Sequence, residues 1–148
     1  DFGFSIDPDS LTEVAIDKKR KKIYLKEHIY QNGLKSHELA QIVLDKVADK
    51  LIIADSAEPR LIADLKHLGV NIKAVKKGTI ESGITRMQDY HLVVTPESTN
   101  IAKELNNYIF SDRSSKLYHD SYNHAIDGIR YNVIYHLDNP NAGKYFVH

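Results

Sequence analysis

Three aspartates have neighbours that suit them to metal chemistry. Asp1 opens D-F-G-F-S at what reads as a first strand, Asp55 closes the apolar run Leu51-Ile52-Ile53-Ala54, and Asp127 lies in H-A-I-D-G-I-R-Y, one helical turn after His124. A spacing of i and i+3 puts His124 and Asp127 on nearly the same helix face. Ile126 and Ile129 set Asp127 at the edge of a buried stripe. Carboxylates brought from two strands and a helix into one confined space raise each other's pKa unless a cation stands between them. Hard oxygen ligands suit Mg²⁺ or Mn²⁺, and two such ions about 3.5 to 4 Å apart stabilise the attacking and leaving oxygens of a phosphodiester displacement. An imidazole at His124 tilts the preference toward Mn²⁺. Each residue also has a plainer reading. Asp55 can cap the following helix, His124 can be a boundary residue of an amphipathic helix, and Asp1 can be a chain end. Asp7, before Pro8, reads as a turn residue. Asp120 reads as part of the last helix's N-cap region, with metal contact as a further option.

Other chemistries find no support. The chain has no cysteine, so disulfides and thiolate metal sites are impossible. Gly143-Lys144 is no phosphate loop, because position 138 is Asp where Gly is needed and Tyr145 replaces Ser or Thr. There is no His-Glu-x-x-His helix and no Gly-x-Ser-x-Gly elbow. The longest apolar runs are far too short to cross a bilayer, and the first residues do not form a signal peptide.

The elements that must position the aspartates follow from the apolar pattern. Thr12–Ile16 and Ile23–Ile29 read as an antiparallel hairpin, and the segment around Phe2 and Phe4 makes three consecutive strands. Ser36 caps a helix through Leu39, Ile42, Val43 and Val47 that ends near Lys50. Leu51–Ala54 has the continuous apolar character of a strand buried on both faces. Pro59 opens the next helix and Gly69 stops it, and residues 70–75 form a further strand. The order continues as a helix over Ile80, Ile84 and Met87, a strand from His91 to Thr95, a helix from Ser98 to Asn107, and a Tyr108-Ile109-Phe110 strand. A final long helix runs from about Asp120 to His136. Strands first, then alternating helices and strands, predict an α/β fold with a mixed central sheet and helices on both faces. Residues 1–139 read as one domain and 140–148 as a C-terminal tail.

Lys and Arg total 20, as do Asp and Glu, so 148 residues carry no formal net charge. With 27% charged and 42% hydrophobic residues, neither a disordered tail nor a basic nucleic-acid arm fits. The balance hides segregation. Residues 1–17 hold five acids and no base, and residues 18–26 hold six bases and no acid. The basic run is a solvated hairpin tip, a phosphate-contacting edge, or both.

D-F-G-F-S-I-D-P, I-I-A-D-S-A-E-P, K-K-G-T-I-E-S-G-I-T-R-M and H-A-I-D-G-I-R-Y, in this order, resemble the C-terminal nuclease domain of the large terminase subunit of tailed bacteriophages. The resemblance runs from Asp1 to about His136. It implies an RNase H-like fold and a metal-dependent endonuclease that cuts double-stranded viral DNA during genome packaging, in the cytoplasm of the bacterial host. It further implies that Asp1, Asp55 and Asp127 are the catalytic acids binding two Mg²⁺ or Mn²⁺ ions, with His124 as a ligand or second-shell group. One ion, on Asp1 and Asp127, would activate water, and the other, between Asp1 and Asp55, would stabilise the leaving 3′ oxygen. Lys76, Lys77 and Arg86 fall in the family's basic stretch near DNA, and they equally suit ordinary surface cations.

By the same resemblance Asp1 belongs to a central strand whose first half precedes it. The partners implied are an ATPase domain separate from this chain, the portal protein and the small terminase subunit, with no membrane. A neutral domain should bind DNA weakly and in a salt-sensitive way by itself, and tethering to the ATPase raises its effective concentration. Two other functions share these residues: a Holliday-junction resolvase-like nuclease, and a catalytically silent docking module of a packaging motor. Activity on four-way junctions discriminates the first, and absence of aspartate-dependent Mn²⁺ binding the second.

Overall fold

The chain's first regular element is a long hairpin, β1 (Asp9–Asp17) and β2 (Lys22–Gln31), paired antiparallel. Its basic turn is closed by Lys21 at φ 54°. Between Leu11 and Thr12 the register slips, so that His28 is the extra residue of β2. Such a bulge bends and twists the strand locally. The computed structural model describes residues 1–3, 7–76, 78–108 and 122–138. Where a strand is expected around Phe2 and Phe4, residues 1–3 form no regular strand, and only Asp1 pairs with β1. Asp1 N donates to Ser10 O (2.9 Å) and Ser10 N to Asp1 O (2.7 Å). Phe4 lies outside the described residues.

After the hairpin, helix α1 (Ser36–Val47) buries Leu39, Ala40, Val43 and Val47, one stripe at helical spacing. Its cap position is Lys35, one residue before the expected Ser36, because the Glu38 carboxylate reaches back to the Lys35 N–H at 2.9 Å. The helix stops at Val47, with Ala48 at φ 52°, short of the expected Lys50. Strand β3 (Ile52–Asp55) is buried at Ile52, Ile53 and Ala54, as a run apolar on both faces requires. Helix α2 (Pro59–His67) starts on its proline and is followed by Gly69 at φ 96°. It leads to β4 (Ile72–Val75), parallel to β3 with Asp55 opposite Val75.

Helix α3 (Ile80–Gln88), strand β5 (His91–Val94) and helix α4 (Thr99–Tyr108) follow. Tyr108, expected to begin a strand, is the buried last residue of α4, and Ile109 and Phe110 lie outside the described residues. The last helix, α5, spans His124–Asp138, and Asp120 and the expected tail at 140–148 are also outside them.

Among the described residues the strands form a mixed sheet, β1-β2-β5, with β5 parallel to β2, and a parallel pair, β3-β4. One core cluster joins Leu11, Ile29, Leu39, Val43, Leu65 and Ile72 under α1 and α2. A second joins Ile23, Leu25, Met87, Ile101, Ile129 and Val133 under α3, α4 and α5. Helices therefore cover both faces. Helix α5 packs on both β1 and β3, and so adds a second tie between the two sheets beside the first core cluster. Beneath it, a cavity of about 180 Å³ separates β1 from β3, lined by Thr12, Glu13, Ile52, Ile53 and Asn132 among others.

Candidate metal centre

The first turn of α5 carries two of the four expected metal-site residues. His124 is its first residue and is buried, and its Nδ1 stands 3.8 Å from Asp1 Oδ2. That distance is an electrostatic contact when the imidazole is protonated, and too long for a hydrogen bond. Asp127, one turn on, offers Oδ1 to Arg130 at 3.3 Å. Gly128 lets the helix come close to the strand segment. A Cβ there would lie 3.2 Å from Asp1 N, where the neighbour would have to give way. Asp1 is pinned to Ser10 through both backbone groups, which sets its carboxylate beside the first residue of α5.

Asp55 is the last residue of β3. Its Oδ1 accepts the Ala57 N–H at 3.2 Å, a turn ahead of α2, whose cap position is Glu58, so Asp55 is not the cap of that helix. The charges share neighbours. The buried Tyr131 phenol is held far above its ordinary value, first by burial and then by Asp127 and Asp55. Burial also raises the Asp127 carboxyl, against the pull of Arg130 and His124. Among the described residues no three His, Asp or Glu side chains close into a ready-made cation cage. Like-charged carboxylates without a cation between them repel, and here Arg130 takes one of them.

Arg130 and Glu104 brace this end of α5, and neither was singled out from the sequence. Arg130 is 2% exposed, stacks its guanidinium 4.8 Å over the Tyr131 ring, and reaches Gly78 O at 3.4 Å. Its stem lies against Gly83 of α3, where a Cβ would fall 2.1 Å from Arg130 Cγ. A glycine inside a helix costs about 1 kcal/mol relative to alanine. Gly83 was thus a legible signal that another side chain needed the space. Glu104 of α4 is 1% exposed. Its carboxylate accepts Ala125 N–H at 2.9 Å, Ile126 N–H at 3.0 Å and the Tyr30 hydroxyl at 2.7 Å. This cap comes from another helix, so no local pattern announced it.

Of the expected DNA contacts, Lys76 is exposed and follows Val75, the β4 residue opposite Asp55, which sets it beside the carboxyl end of β3. Arg86 is elsewhere: it pairs with Asp138, at the other end of α5, at 2.7 Å. Lys77 lies outside the described residues.

A family model for the terminase RNase H-like domain matches residues 1–134. The chain belongs to that family. Over 88% of its length the terminase domain is 34% identical to the terminase large subunit of Bacillus phage SPP1, of which it spans 34%. Over 52% it is 30% identical to the PBSX phage terminase large subunit of Bacillus subtilis strain 168, of which it spans 18%. The chain thus spans about a third of the first relative and under a fifth of the second. The crystal structure of the nuclease domain of the SPP1 large terminase, with bound Mn, superposes at a TM-score of 0.74 with 30% identity, covering 88% of this chain and 80% of that one. The terminase domain therefore has the RNase H-like nuclease fold, as the order of its motifs implied. No helix among the described residues is long and apolar enough to cross a membrane.

Proposed function

We propose that this terminase domain is a divalent-metal-dependent endonuclease that cuts double-stranded DNA as a viral genome is packaged. The observation that carries the reading is Asp1 beside His124 at the first turn of α5, with Asp127 one turn on and Asp127 and Asp55 both acting on Tyr131, in a relative of an Mn-bound nuclease domain. The residues suit a hard cation: carboxylate oxygens with one imidazole, and a half-buried Asp127 whose charge is costly without a partner. Asp1, Asp55 and Asp127 would hold Mg²⁺ or Mn²⁺, as two ions, with His124 beside Asp1. Bound there, the metal would lower the pKa of attacking water and neutralise the leaving 3′ oxygen.

The chain's own residues do the rest. Metal binding uses the ionised Asp127 carboxylate, a form that Arg130 and His124 favour and burial opposes. Tyr131, kept protonated beside Asp127 and Asp55, leaves the site's negative charge to the carboxylates. Lys76, exposed past the end of β4, is proposed to meet the DNA backbone. Arg86, tied to Asp138, is not. The ATPase domain, portal protein and small terminase subunit are the proposed partners, and the bacterial host's cytoplasm the proposed compartment.

The test is nicking of supercoiled plasmid with Mn²⁺, Mg²⁺ or chelator. Wild type should cut with metal and not with chelator, and Asp55→Asn should fold normally yet lose cleavage. Retention of normal Mn²⁺-dependent nicking by that variant would refute the assignment.

A further inference from the structure

We infer that Glu104, with Tyr30, is a positioning residue that fixes the metal-binding turn of α5 and strengthens its hold on the cation without touching the metal. The inference rests on the proposed metal site. The two N–H groups Glu104 holds belong to Ala125 and Ile126, the residues between His124 and Asp127. A movement of this carboxylate therefore moves both proposed ligands together. Its second oxygen is fixed by the Tyr30 hydroxyl at 2.7 Å, and the Tyr30 ring meets His124 edge-on, with centroids 6.4 Å apart. One side chain of β2 thus touches the brace and the imidazole at once.

A carboxylate that is 1% exposed is expensive unless donors surround it. Here the donors are a helix N-terminus, whose free N–H groups carry partial positive charge, and a phenol. A neutral cap would satisfy those N–H groups without burying a charge. A charge also acts at a distance: the Glu104 carboxylate sits on the N–H groups of Ala125 and Ile126, between the two proposed ligands on α5, so its field reaches the place where a cation would sit. In a poorly screened interior that field favours cation binding. Geometry and charge act in the same direction.

The experiment is calorimetric Mn²⁺ titration and plasmid nicking across Mn²⁺ concentration for wild type, Glu104→Gln and Tyr30→Phe, with thermal unfolding in parallel. Glu104→Gln keeps the shape of the cap and removes its charge. It should bind Mn²⁺ about 10- to 100-fold more weakly, as loss of groups supporting metal ligands does. Its half-maximal Mn²⁺ concentration for nicking should rise by the same factor, and the rate should recover in part at saturating metal. Tyr30→Phe should show the same shift at a few-fold. Folded Glu104→Gln with wild-type Mn²⁺ affinity overturns the inference and leaves the nuclease reading standing. Should Glu104→Gln fail to fold, unchanged affinity in Tyr30→Phe overturns it instead. Absence of Mn²⁺ binding by wild type defeats both, which separates the two failures.

Discussion

The two ends of α5 each hold an arginine–aspartate pair, and the shorter pair is the weaker one. At the C-terminal end, Arg86 meets Asp138 at 2.7 Å with the side chains 50% and 41% exposed. At the N-terminal end, Arg130 meets Asp127 at 3.3 Å with the side chains 2% and 17% exposed. Water screens the first pair, and such pairs contribute about 0–1 kcal/mol. In the second, removing Asp127 leaves the buried Arg130 charged and without that partner, and breaking a buried pair typically costs about 3–5 kcal/mol. Burial, more than separation, decides which pair matters. It also divides the helix into an end built for charge chemistry and an end that only closes a surface.

The sharpest way to break this contrast is at Asp127. Asp127→Asn removes a proposed ligand and should lower Mn²⁺-dependent nicking on the order of a thousandfold, a loss typical of removing a group that stabilises transition-state charge. Plasmid assays check it, and a loss under tenfold would move the chemistry elsewhere.

Next is the slot that holds Arg130. Gly83→Ala places a methyl 2.1 Å from Arg130 Cγ and 3.2 Å from Ile134 Cδ1. Overpacking costs about 1–3 kcal/mol, offset by about 1 kcal/mol of better helix propensity. The variant should unfold at lower urea and bind Mn²⁺ more weakly, although residue 83 touches no proposed ligand. An unchanged midpoint would show that Arg130 moves aside freely.

A smaller effect concerns pH. The folded state raises the Asp127 carboxyl above its ordinary 3.8, burial being the largest cause. The fold therefore binds this proton more tightly than the unfolded chain does. Below 3.8 no penalty applies; stability falls as pH rises from there through the raised value, and is flat beyond it. Metal competes with the same proton. Mn²⁺ affinity, followed by calorimetry, should keep climbing with pH past the point where an ordinary aspartate is fully ionised, and the Asp127→Asn variant should lack that part of the slope.

The smallest effect belongs to the other end of α5. Arg86→Ala should change stability by less than about 1 kcal/mol and nicking by less than twofold, as expected for a solvated pair. A large loss of cleavage would instead make Arg86 a DNA contact and erase the difference between the two ends.

Much of the fold was legible wherever local chemistry acts alone. The apolar run before Asp55 forms the strand it predicts, Pro59 opens α2, and Gly69 follows its end at positive φ. Tyr108 was misplaced because a short apolar triplet reads equally well as strand or helix end, and burial against the rest of the molecule decides between them. The first helix likewise begins one residue early, where the backward reach of Glu38 outranks the capping tendency of Ser36.

The site divides along the same line. The sequence by itself determined that His124 and Asp127 share a helix face and that Asp55 ends a buried strand, because helical and strand periodicity are properties of neighbouring residues. Only the tertiary structure decided that Glu104 grips the turn between them, that Arg130 lies in the slot left by Gly83, and that Arg86 goes to the far end of α5. Those partners are tens of residues apart along the chain, and the packing of α3, α4 and α5 brings them together. No local pattern encodes which buried charge will need which distant donor.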